Sequence, residues 1–231
     1  MLAVRYLTLH YRQSQILHDV SLDAAVGQIT CVMGTNGVGK TSLLKAISGA
    51  HPNSGGKIVF NGREIGKTRT DERAQLGLAY VPQGREIFPL LTVRENLETG
   101  FACLPKAECN VPDKIFELFP VLKEMQKRRG GDLSGGQQQQ LAIGRALIMK
   151  PKLLLLDEPT EGIQPNIIQQ IGKGIRFLRD EGKMAIILVE QYFDFAYELA
   201  DDFVVLERGA VTLSGAKVDI GRAQLLSRVS V

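Results

Sequence analysis

A glycine-rich segment of nine residues places the strongest constraint on how this chain folds. It fits the pattern GxxxxGK followed by Ser or Thr, and its members are Gly34, Thr35, Asn36, Gly37, Val38, Gly39, Lys40, Thr41 and Ser42. At this spacing the glycines let backbone N–H groups curl around phosphates, while the lysine reaches the outer phosphates and the hydroxyl can ligate Mg²⁺. The segment therefore predicts a nucleoside triphosphate bound together with Mg²⁺.

The residues on either side of this loop have the character that a phosphate-binding loop requires. Residues 29–33 form an apolar run of strand length, and Leu43, Leu44 and Ile47 repeat at helical spacing before Gly49. The loop is thus predicted to join a strand to a helix N-terminus, where the helix dipole and unpaired backbone donors favour an anion. A glycine-rich turn that matches by chance is the alternative, and both flanks argue against it.

Composition excludes several classes of function. The chain has 231 residues, 44% of them hydrophobic and 23% charged, which suits one globular domain or a core with a smaller lobe. The formal net charge is +3 and no run of Lys and Arg exceeds residues 127–129, so we expect no nucleic-acid partner. The three cysteines lack zinc-ligand spacing. We expect no signal peptide and, because no apolar stretch approaches about 18 residues, any membrane span to come from another chain.

The N-terminal part of the chain predicts a small antiparallel lobe. Residues 2–9, 16–22 and 56–62 read as short strands, the last of which ends in an Asn-Gly turn. Tyr11 ends the first alternation, 23 positions before Gly34. Two roles are open for this ring: stacking on an adenine, or an ordinary aromatic at a strand end. Its position alone favours the second role.

Polar residues follow three apolar segments that read as buried parallel strands. After the strand at 76–81 come Pro82 and then Gln83. The strand at 152–156 is followed by Asp157 and Glu158, and the strand at 183–189 is followed by Glu190 and Gln191. The carboxyl ends of parallel strands meet at one edge of a sheet, where ligands bind in open α/β folds. We therefore expect these side chains to point into one crevice with the phosphate loop. For Gln83 the alternative is a loop residue that simply faces water.

Asp157 and Glu158 are adjacent acids at the end of a buried strand, a position that is tolerated only with a cation or a proton nearby. Mg²⁺ held through Asp157 supplies one charge partner, which leaves Glu158 to accept a proton from an attacking water. A strand that ends in a solvated acidic loop is the alternative. The phosphate loop upstream favours the catalytic interpretation.

In residues 92–149 the apolar residues recur at helical spacing, which predicts a helical insertion between strands. Thr92 with Glu95 forms one capping box, and Ser134 with Gln137 forms another ahead of a helix predicted over residues 138–149. A well-capped helix alone does not explain the pair Gly135 and Gly136, since each glycine costs about 1 kcal/mol relative to alanine. Close approach of another group to the backbone explains the pair, and the bare N–H groups of a helix N-terminus suit a second phosphate.

The phosphate loop, the insertion ending in Leu-Ser-Gly-Gly-Gln, and the apolar strand followed by Asp-Glu, in this order, resemble the ATP-binding subunit of ABC transporters over essentially the whole chain. The resemblance implies an α/β fold: a RecA-like P-loop NTPase core with a small antiparallel β lobe and an inserted helical subdomain. The core and lobe correspond to residues 1–88 and 150–231, and the helical signature subdomain corresponds to residues 89–149.

The resemblance also implies a role for each motif residue, with ATP and Mg²⁺ as cofactors. Tyr11 takes the position that stacks on adenine, which reverses the preference from its position alone. Thr41, Gln83 and Asp157 lie on the Mg²⁺ side, Gln83 also sensing the lytic water, while Lys40 and Glu158 are catalytic, Glu158 as the base. The signature residues contact the nucleotide of the opposite subunit, which implies two composite sites per dimer; they are Ser134, Gly135, Gly136 and Gln137.

Two positions depart from the usual pattern of this family. Gln191 stands where the family usually has a switch histidine; glutamine can donate a hydrogen bond to the γ-phosphate but cannot become cationic near neutral pH. Gln164 stands where the loop after Asp157 and Glu158 usually has an aspartate, which weakens a helix cap and a contact across the dimer. We expect these changes to affect the rate of hydrolysis more than the fold.

Three segments narrow the resemblance to the branch that takes up branched-chain amino acids and urea: residues 81–89, 161–165 and 189–191. Within that branch, residues 116–125 and 130–140 are most similar to the second ATP-binding subunit of the urea transporter. In such systems a second ATP-binding subunit pairs with this one beneath two transmembrane permease subunits, at the cytoplasmic face of the inner membrane. A periplasmic substrate-binding protein supplies the substrate, which does not contact this subunit.

The sequence therefore predicts an ATP-hydrolysing subunit that powers an importer, for urea or alternatively for branched-chain amino acids or a related amide. Another hypothesis is a nucleotide-gated clamp that hydrolyses little ATP, because Gln191 and Gln164 depart from the common pattern. A cassette of translation or DNA repair is disfavoured because the chain has neither a tandem repeat nor a long coiled-coil insert. A simple P-loop kinase does not explain the signature.

Overall fold

The computed structural model describes residues 1–229 as two sheets surrounded by helices. Its strands are β1 (Leu2–Tyr11), β2 (Ser14–Ala24), β3 (Ile29–Met33), β4 (Gly55–Phe60), β5 (Arg63–Glu64), β6 (Leu78–Val81), β7 (Leu153–Asp157), β8 (Ala185–Val189), β9 (Asp202–Glu207) and β10 (Ala210–Ala216). Its α-helices are α1 (Lys40–Ser48), α2 (Thr70–Gln75), α3 (Val93–Glu98), α4 (Asp113–Leu118), α5 (Pro120–Glu124), α6 (Gly135–Ile148), α7 (Pro165–Asp180), α8 (Phe193–Leu199) and α9 (Arg222–Val229). Short 3-10 segments occupy Thr99–Cys103, Lys106–Glu108 and Gly130–Asp132.

The smaller sheet is antiparallel and has the strand order β2-β1-β4-β5, which confirms the predicted lobe. Its inner face is built from alternating apolar residues, but the alternation in β1 steps from Val4 to Leu7 instead of to a residue two positions on. Tyr6 lies between them with a φ of 49° at a register shift. A bulge of this kind inserts one extra residue, so the apolar face is kept on both sides of it.

The larger sheet has the order β10-β9-β3-β8-β7-β6, with β3, β6, β7, β8 and β9 parallel and β10 added antiparallel at one edge. Every residue of β3, β7 and β8 is buried. Strands covered on both faces read as continuous apolar runs, which is why the sequence predicted them well. The parallel strands β3, β6, β7 and β8 all end at the same edge, so this topology brings four loops together.

The helical insertion packs against one face of the parallel sheet. Leu97, Phe119, Leu122 and Leu141 belong to the same hydrophobic cluster as Leu154 of β7. Both predicted capping boxes are present, at Thr92 with Glu95 and at Ser134 with Gln137. The division of the chain into a core and a helical subdomain at residues 89–149 stays a prediction.

The prediction that the signature helix begins at residue 138 was wrong. Because Ser134 is its N-cap, α6 begins at Gly135 and includes both signature glycines. The two glycines were expected to reflect the close approach of another group, and the packing at Gly136 agrees with that expectation. A Cβ atom on Gly136 would lie 2.6 Å from Cγ2 of Ile167 on α7.

Candidate nucleotide-binding site

The phosphate loop runs from the end of β3 to the first turn of α1, as the sequence predicted. Gly39 caps α1 with a φ of 105°, a left-handed conformation that glycine adopts without steric cost. A Cβ atom here would lie 2.7 Å from Cδ2 of Leu17, so the neighbouring strand also requires glycine. This backbone leaves the N-terminal N–H groups of α1 exposed to an anion.

Lys40 lies along the inside of the loop. Its Nζ donates to the carbonyl oxygens of Gly34 at 2.8 Å and of Thr35 at 3.0 Å. The same Nζ lies 3.4 Å from Oε1 of Glu158, and both side chains are buried. A buried lysine held by two carbonyls and one carboxylate is fixed close to the position where phosphate oxygens bind to such a loop.

Asp157 ends β7 with both carboxylate oxygens engaged. Oδ1 accepts a hydrogen bond from Oγ1 of Thr41 at 3.2 Å, and Oδ2 accepts one from the Tyr80 hydroxyl at 3.0 Å. Burial raises the pKa of Asp157, whereas the two hydrogen bonds lower it in part. Burial, together with the charge of Asp157 and the hydrogen bond to it, raises the pKa of Tyr80, so this hydroxyl is a donor at every physiological pH.

Glu158 turns its carboxylate out of the strand direction toward the phosphate loop. Its φ is 47°, a left-handed value that is uncommon for a residue with a side chain. Its N–H donates to the carbonyl of Val189 on the neighbouring strand at 2.9 Å, which holds this turn. The Nε2 of Gln83 lies 3.4 Å from Oε2 of Glu158 and 3.0 Å from Oε2 of Glu161.

The residues predicted on the Mg²⁺ side fit that ion. Thr41 and Asp157 present oxygen ligands in direct contact, and Gln83 reaches the same region from β6. Among residues 1–229 there is no group of three or more His, Cys, Asp and Glu side chains that could hold a metal. Mg²⁺ bound with a nucleotide needs no such cage, because it keeps water ligands and takes others from the phosphates.

Most of the predicted nucleotide-binding residues line one cavity of about 260 Å³. Of the predicted site residues, it is lined by Tyr11, Asn36, Gly37, Gly39, Lys40, Thr41, Ser42, Gln83 and Glu158. Tyr11 lies at the end of β1 with 37% of its surface exposed. The His51 ring packs edge-on against it with the ring centroids 4.4 Å apart, a contact that the sequence did not reveal. Gly34, Thr35 and Val38 of the loop do not line the cavity, nor does Asp157, which contacts the lining residue Thr41.

The signature lies outside this cavity in the described part of the chain. Ser134 accepts from the N–H of Gln137 at 3.4 Å, and Gln137 accepts in return from the N–H of Ser134 at 2.9 Å. The guanidinium group of Arg85 lies beside the signature, within 3.3 Å of the Cβ position of Gly135, and it donates to the carbonyl of Glu161 at 3.1 Å. The start of α6 is therefore in contact with the loops after β6 and β7.

Gln191 and Gln164 occupy exposed loop positions. Gln164 is the N-cap of α7 but makes no side-chain capping hydrogen bond, which agrees with the weakened cap expected from its residue type. The expectation that Glu190 points into the crevice was wrong. Its side chain is buried between the loop after β7 and the loop after β8, and it accepts hydrogen bonds from the backbone of both.

Size alone does not identify the site. A larger cavity, of about 470 Å³, lies between α7 and α8, lined by residues that include Ile168, Arg176, Tyr192 and Phe195. In the described part of the chain, none of the predicted site residues lines it. The smaller cavity is the candidate site because residues of the phosphate loop, including Lys40, and the acid Glu158 line it together.

The fold and the cavity define a nucleotide-binding protein of the phosphate-loop class. Residues 17–161 match the sequence model of the family described as ABC transporter. The chain belongs to this family, as an ATP-binding subunit with ATPase activity coupled to transport.

Two relatives match over most of their length. The high-affinity branched-chain amino acid transport ATP-binding protein BraG of Pseudomonas aeruginosa is 44% identical over 214 residues, which is 92% of this chain and 91% of the relative. The probable branched-chain amino acid transport ATP-binding protein LivF of Archaeoglobus fulgidus is 40% identical over 218 residues, covering 93% of this chain and 92% of the relative.

Solved structures have the same fold. An ATP-binding subunit of an ABC transporter superimposes with a TM-score of 0.84 at 27% identity, over 99% of this chain and 94% of that one. An ATP-binding cassette of an ABC transporter in its ADP conformation superimposes with a TM-score of 0.83 at 25% identity, over 100% and 94%. The predicted α/β cassette fold is thereby confirmed. In residues 1–229, no helix has both the length and the apolar character needed to cross a membrane.

Proposed function

We propose that this chain hydrolyses ATP at the 260 Å³ cavity to drive an importer, with Glu158 as the catalytic base. One observation carries the proposal: a lysine and a hydroxyl after β3, two acids at the end of β7 and the amide of Gln83 after β6 converge at one edge of the parallel sheet. Glu158 is suited to take a proton from water because its carboxylate faces the phosphate loop and is held by Lys40 and Gln83.

Each predicted site residue has a task in this scheme. The N–H groups at the start of α1 and the Nζ of Lys40 bind the phosphates and stabilise the charge that develops on them. Thr41 and Asp157 would hold Mg²⁺, which neutralises phosphate charge. Gln83 orients the water against Glu158, and Gln191 donates a hydrogen bond to the γ-phosphate. Tyr11 stacks on the adenine at the other end of the cavity.

We propose that the site is completed by a second ATP-binding subunit, identical or homologous. The signature residues 134–137 lie outside the cavity of their own chain, while the cavity itself is open to solvent. The N-terminus of α6, whose N-cap Ser134 is exposed, can face the phosphates bound by the opposite subunit. Closure on ATP and separation after hydrolysis then transmit force to the membrane partners.

Two transmembrane permease subunits are the proposed partners, at the cytoplasmic face of the inner membrane. The loop that connects β6 to the helical insertion exposes large apolar side chains, with Phe88 49% exposed and Leu90 79% exposed. Exposed apolar residues close together favour a protein contact. A periplasmic substrate-binding protein is an indirect partner that delivers the substrate.

For the transported substrate, the relatives favour a branched-chain amino acid, because both are described as transporting these compounds. Urea is the second candidate, since residues 116–125 and 130–140 resemble the urea branch. Uptake of radiolabelled leucine and of radiolabelled urea, in cells with and without this subunit, distinguishes the two. Loss of urea uptake alone would select the second candidate.

The experiment that tests the hydrolytic role measures ATP turnover and oligomer size of the wild type and of Glu158→Gln. We expect wild-type turnover, loss of it in the variant, and an ATP-dependent dimer of the variant. Tight ATP binding without turnover, even when the permease subunits are present, would replace this proposal with the nucleotide-gated clamp. Unchanged turnover in a folded Glu158→Gln would remove Glu158 from its proposed role.

A further inference from the structure

Glu190 is a buried carboxylate that lies between the loops following two neighbouring strands. It comes directly after β8, next to β7, and only 1% of its surface is exposed. None of the ion pairs formed by residues 1–229 involves it. A buried acid without a cationic partner is costly, so its hydrogen bonds are what make the position tolerable.

Three backbone N–H groups donate to this carboxylate, and they come from both loops. Oε1 accepts from Thr160 at 3.1 Å, and Oε2 accepts from Gln191 at 3.0 Å and from Tyr192 at 3.2 Å. Thr160 lies two residues after Glu158 in the loop that continues to Gln164. One side chain therefore connects the segment that carries the proposed base to the segment that carries the proposed γ-phosphate contact.

The chemistry of the contact requires a carboxylate. An ionised Glu side chain accepts on two oxygens and donates on none, whereas Gln accepts on only one and would turn an N–H donor toward the other loop. Burial raises the pKa of Glu190 to about 7, and its hydrogen bonds oppose that shift. At pH 8 the group is ionised and all three acceptor contacts are available.

We propose that Glu190 is a positioning residue for ATP hydrolysis: by bridging Thr160 and Gln191, it fixes the loop of Glu158 and the loop of Gln191 in one geometry. This inference rests on the proposed roles of Glu158 and Gln191. Displacements of about 1 Å at a reacting group can cost about 100-fold in rate, so a bridge between two such loops has a large effect on turnover.

The test compares Glu190→Gln with the wild type at pH 8, with Glu198→Gln as the matched control. Glu198 is an acid on α8 that pairs with Arg176 and does not line the 260 Å³ cavity, and we expect this control to behave as the wild type. For Glu190→Gln we expect turnover per folded molecule to fall at least about tenfold, with the dissociation constant for ATP within about threefold. A merely structural role would lower the melting temperature and leave turnover per folded molecule unchanged, and that result would overturn the proposal.

A second variant tests whether the effect passes through Gln191. If it does, Glu190→Gln combined with Gln191→Ala loses little more turnover than Gln191→Ala alone, whereas losses that multiply would contradict an effect through Gln191. Should Glu190→Gln not fold, Glu190→Asp, which keeps the charge but shortens the reach, replaces it in both comparisons.

Amide hydrogen exchange gives a readout that does not depend on hydrolysis. The N–H groups of Thr160, Gln191 and Tyr192 should exchange faster in Glu190→Gln than in the wild type and in Glu198→Gln. Faster exchange in Glu190→Gln together with an inactive wild type would contradict the proposed function but support the contact between the two loops through Glu190. Unchanged exchange at all three amides would contradict the proposed positioning role of Glu190, whether or not the wild type is active.

Discussion

The Nζ of Lys40 lies 3.4 Å from Oε1 of Glu158, and the two side chains are 4% and 8% exposed. Lys40 is part of the phosphate loop and Glu158 follows β7, so this contact connects the phosphate-binding part of the cavity to its proposed base. Removing one member of a buried ion pair leaves the other charge uncompensated, whereas removing both does not. The pair therefore couples stability to the same residues that perform the chemistry.

From this pair we predict non-additive effects on stability. Lys40→Ala should lower the free energy of unfolding by about 3 kcal/mol because Glu158 loses its buried partner. Lys40→Ala combined with Glu158→Gln should recover a large part of that loss. Chemical denaturation of the wild type, both single variants and the double variant measures the coupling. Effects that simply add would show that the pair contributes nothing to stability.

Tyr80 provides a second prediction, since its hydroxyl orients Asp157. Tyr80→Phe removes this donor without changing the ring, so Asp157 loses one of the two hydrogen bonds that favour its ionised form. We expect the Mg²⁺ concentration for half-maximal turnover to rise about threefold or more, roughly the effect of one lost hydrogen bond. The KM for ATP at saturating Mg²⁺ should stay the same. Tyr6→Phe, at a ring that is 70% exposed, is the control and should match the wild type.

Much of this fold was predictable because its signals are local. The apolar runs of β3, β7 and β8, the glycine spacing of the phosphate loop and the two capping boxes each lie within a short stretch of sequence. The edge of the sheet at which Gln83 and Glu158 meet followed from the parallel order of the strands. These inferences needed no knowledge of contacts between distant residues.

The parts of the site that the sequence did not reveal depend on such distant contacts. Tyr80 reads as one more residue of a buried strand, and the only local signal of its role is a hydroxyl within an otherwise apolar run. Glu190 was expected to face the crevice, but its partner Thr160 lies 30 residues earlier in the chain. The Gly135–Gly136 pair was explained by close approach of another group, and for Gly136 that group includes Ile167 of α7. Periodicity alone does not predict these pairings.

Gln191 gives a third prediction, on catalysis. Gln191→Ala should lower turnover about 100-fold if its amide donates to the γ-phosphate, by analogy with the removal of one donor to a developing oxyanion. Gln191→His restores a donor and adds a group that titrates near pH 6.5, so turnover should become higher below that pH than above it. The measurement is a pH profile of turnover for the wild type and both variants. A His variant with the wild-type profile would exclude contact between this residue and the phosphate.

The last prediction concerns the dependence of stability on pH. Burial raises the pKa of Glu190 from 4.5 to about 7 in the folded state, so between these values the folded chain binds more protons than the unfolded chain. The contribution of Glu190 to stability is therefore largest below pH 4.5, declines as the pH rises toward 7 and is constant above it. Its slope is at most about 1.4 kcal/mol per pH unit. Glu190→Gln removes this titration, so its stability relative to the wild type should improve steadily from pH 5 to pH 7.

Guanidinium chloride unfolding of Glu190→Gln and of the wild type at pH 5, 6, 7 and 8 measures the difference between their free energies of unfolding. The raised pKa of Asp157 affects both proteins equally, so its contribution cancels in this difference. The loss of hydrogen bonds in Glu190→Gln shifts the difference by a similar amount at every pH, whereas only the titration of Glu190 makes it change with pH. A difference that stays constant over this range would show that Glu190 has an ordinary pKa in the folded state. If the stability of Glu190→Gln relative to the wild type rises between pH 5 and pH 7 and then levels off, the ionised carboxylate is buried at a cost. Its contacts with Thr160, Gln191 and Tyr192 offset that cost in part.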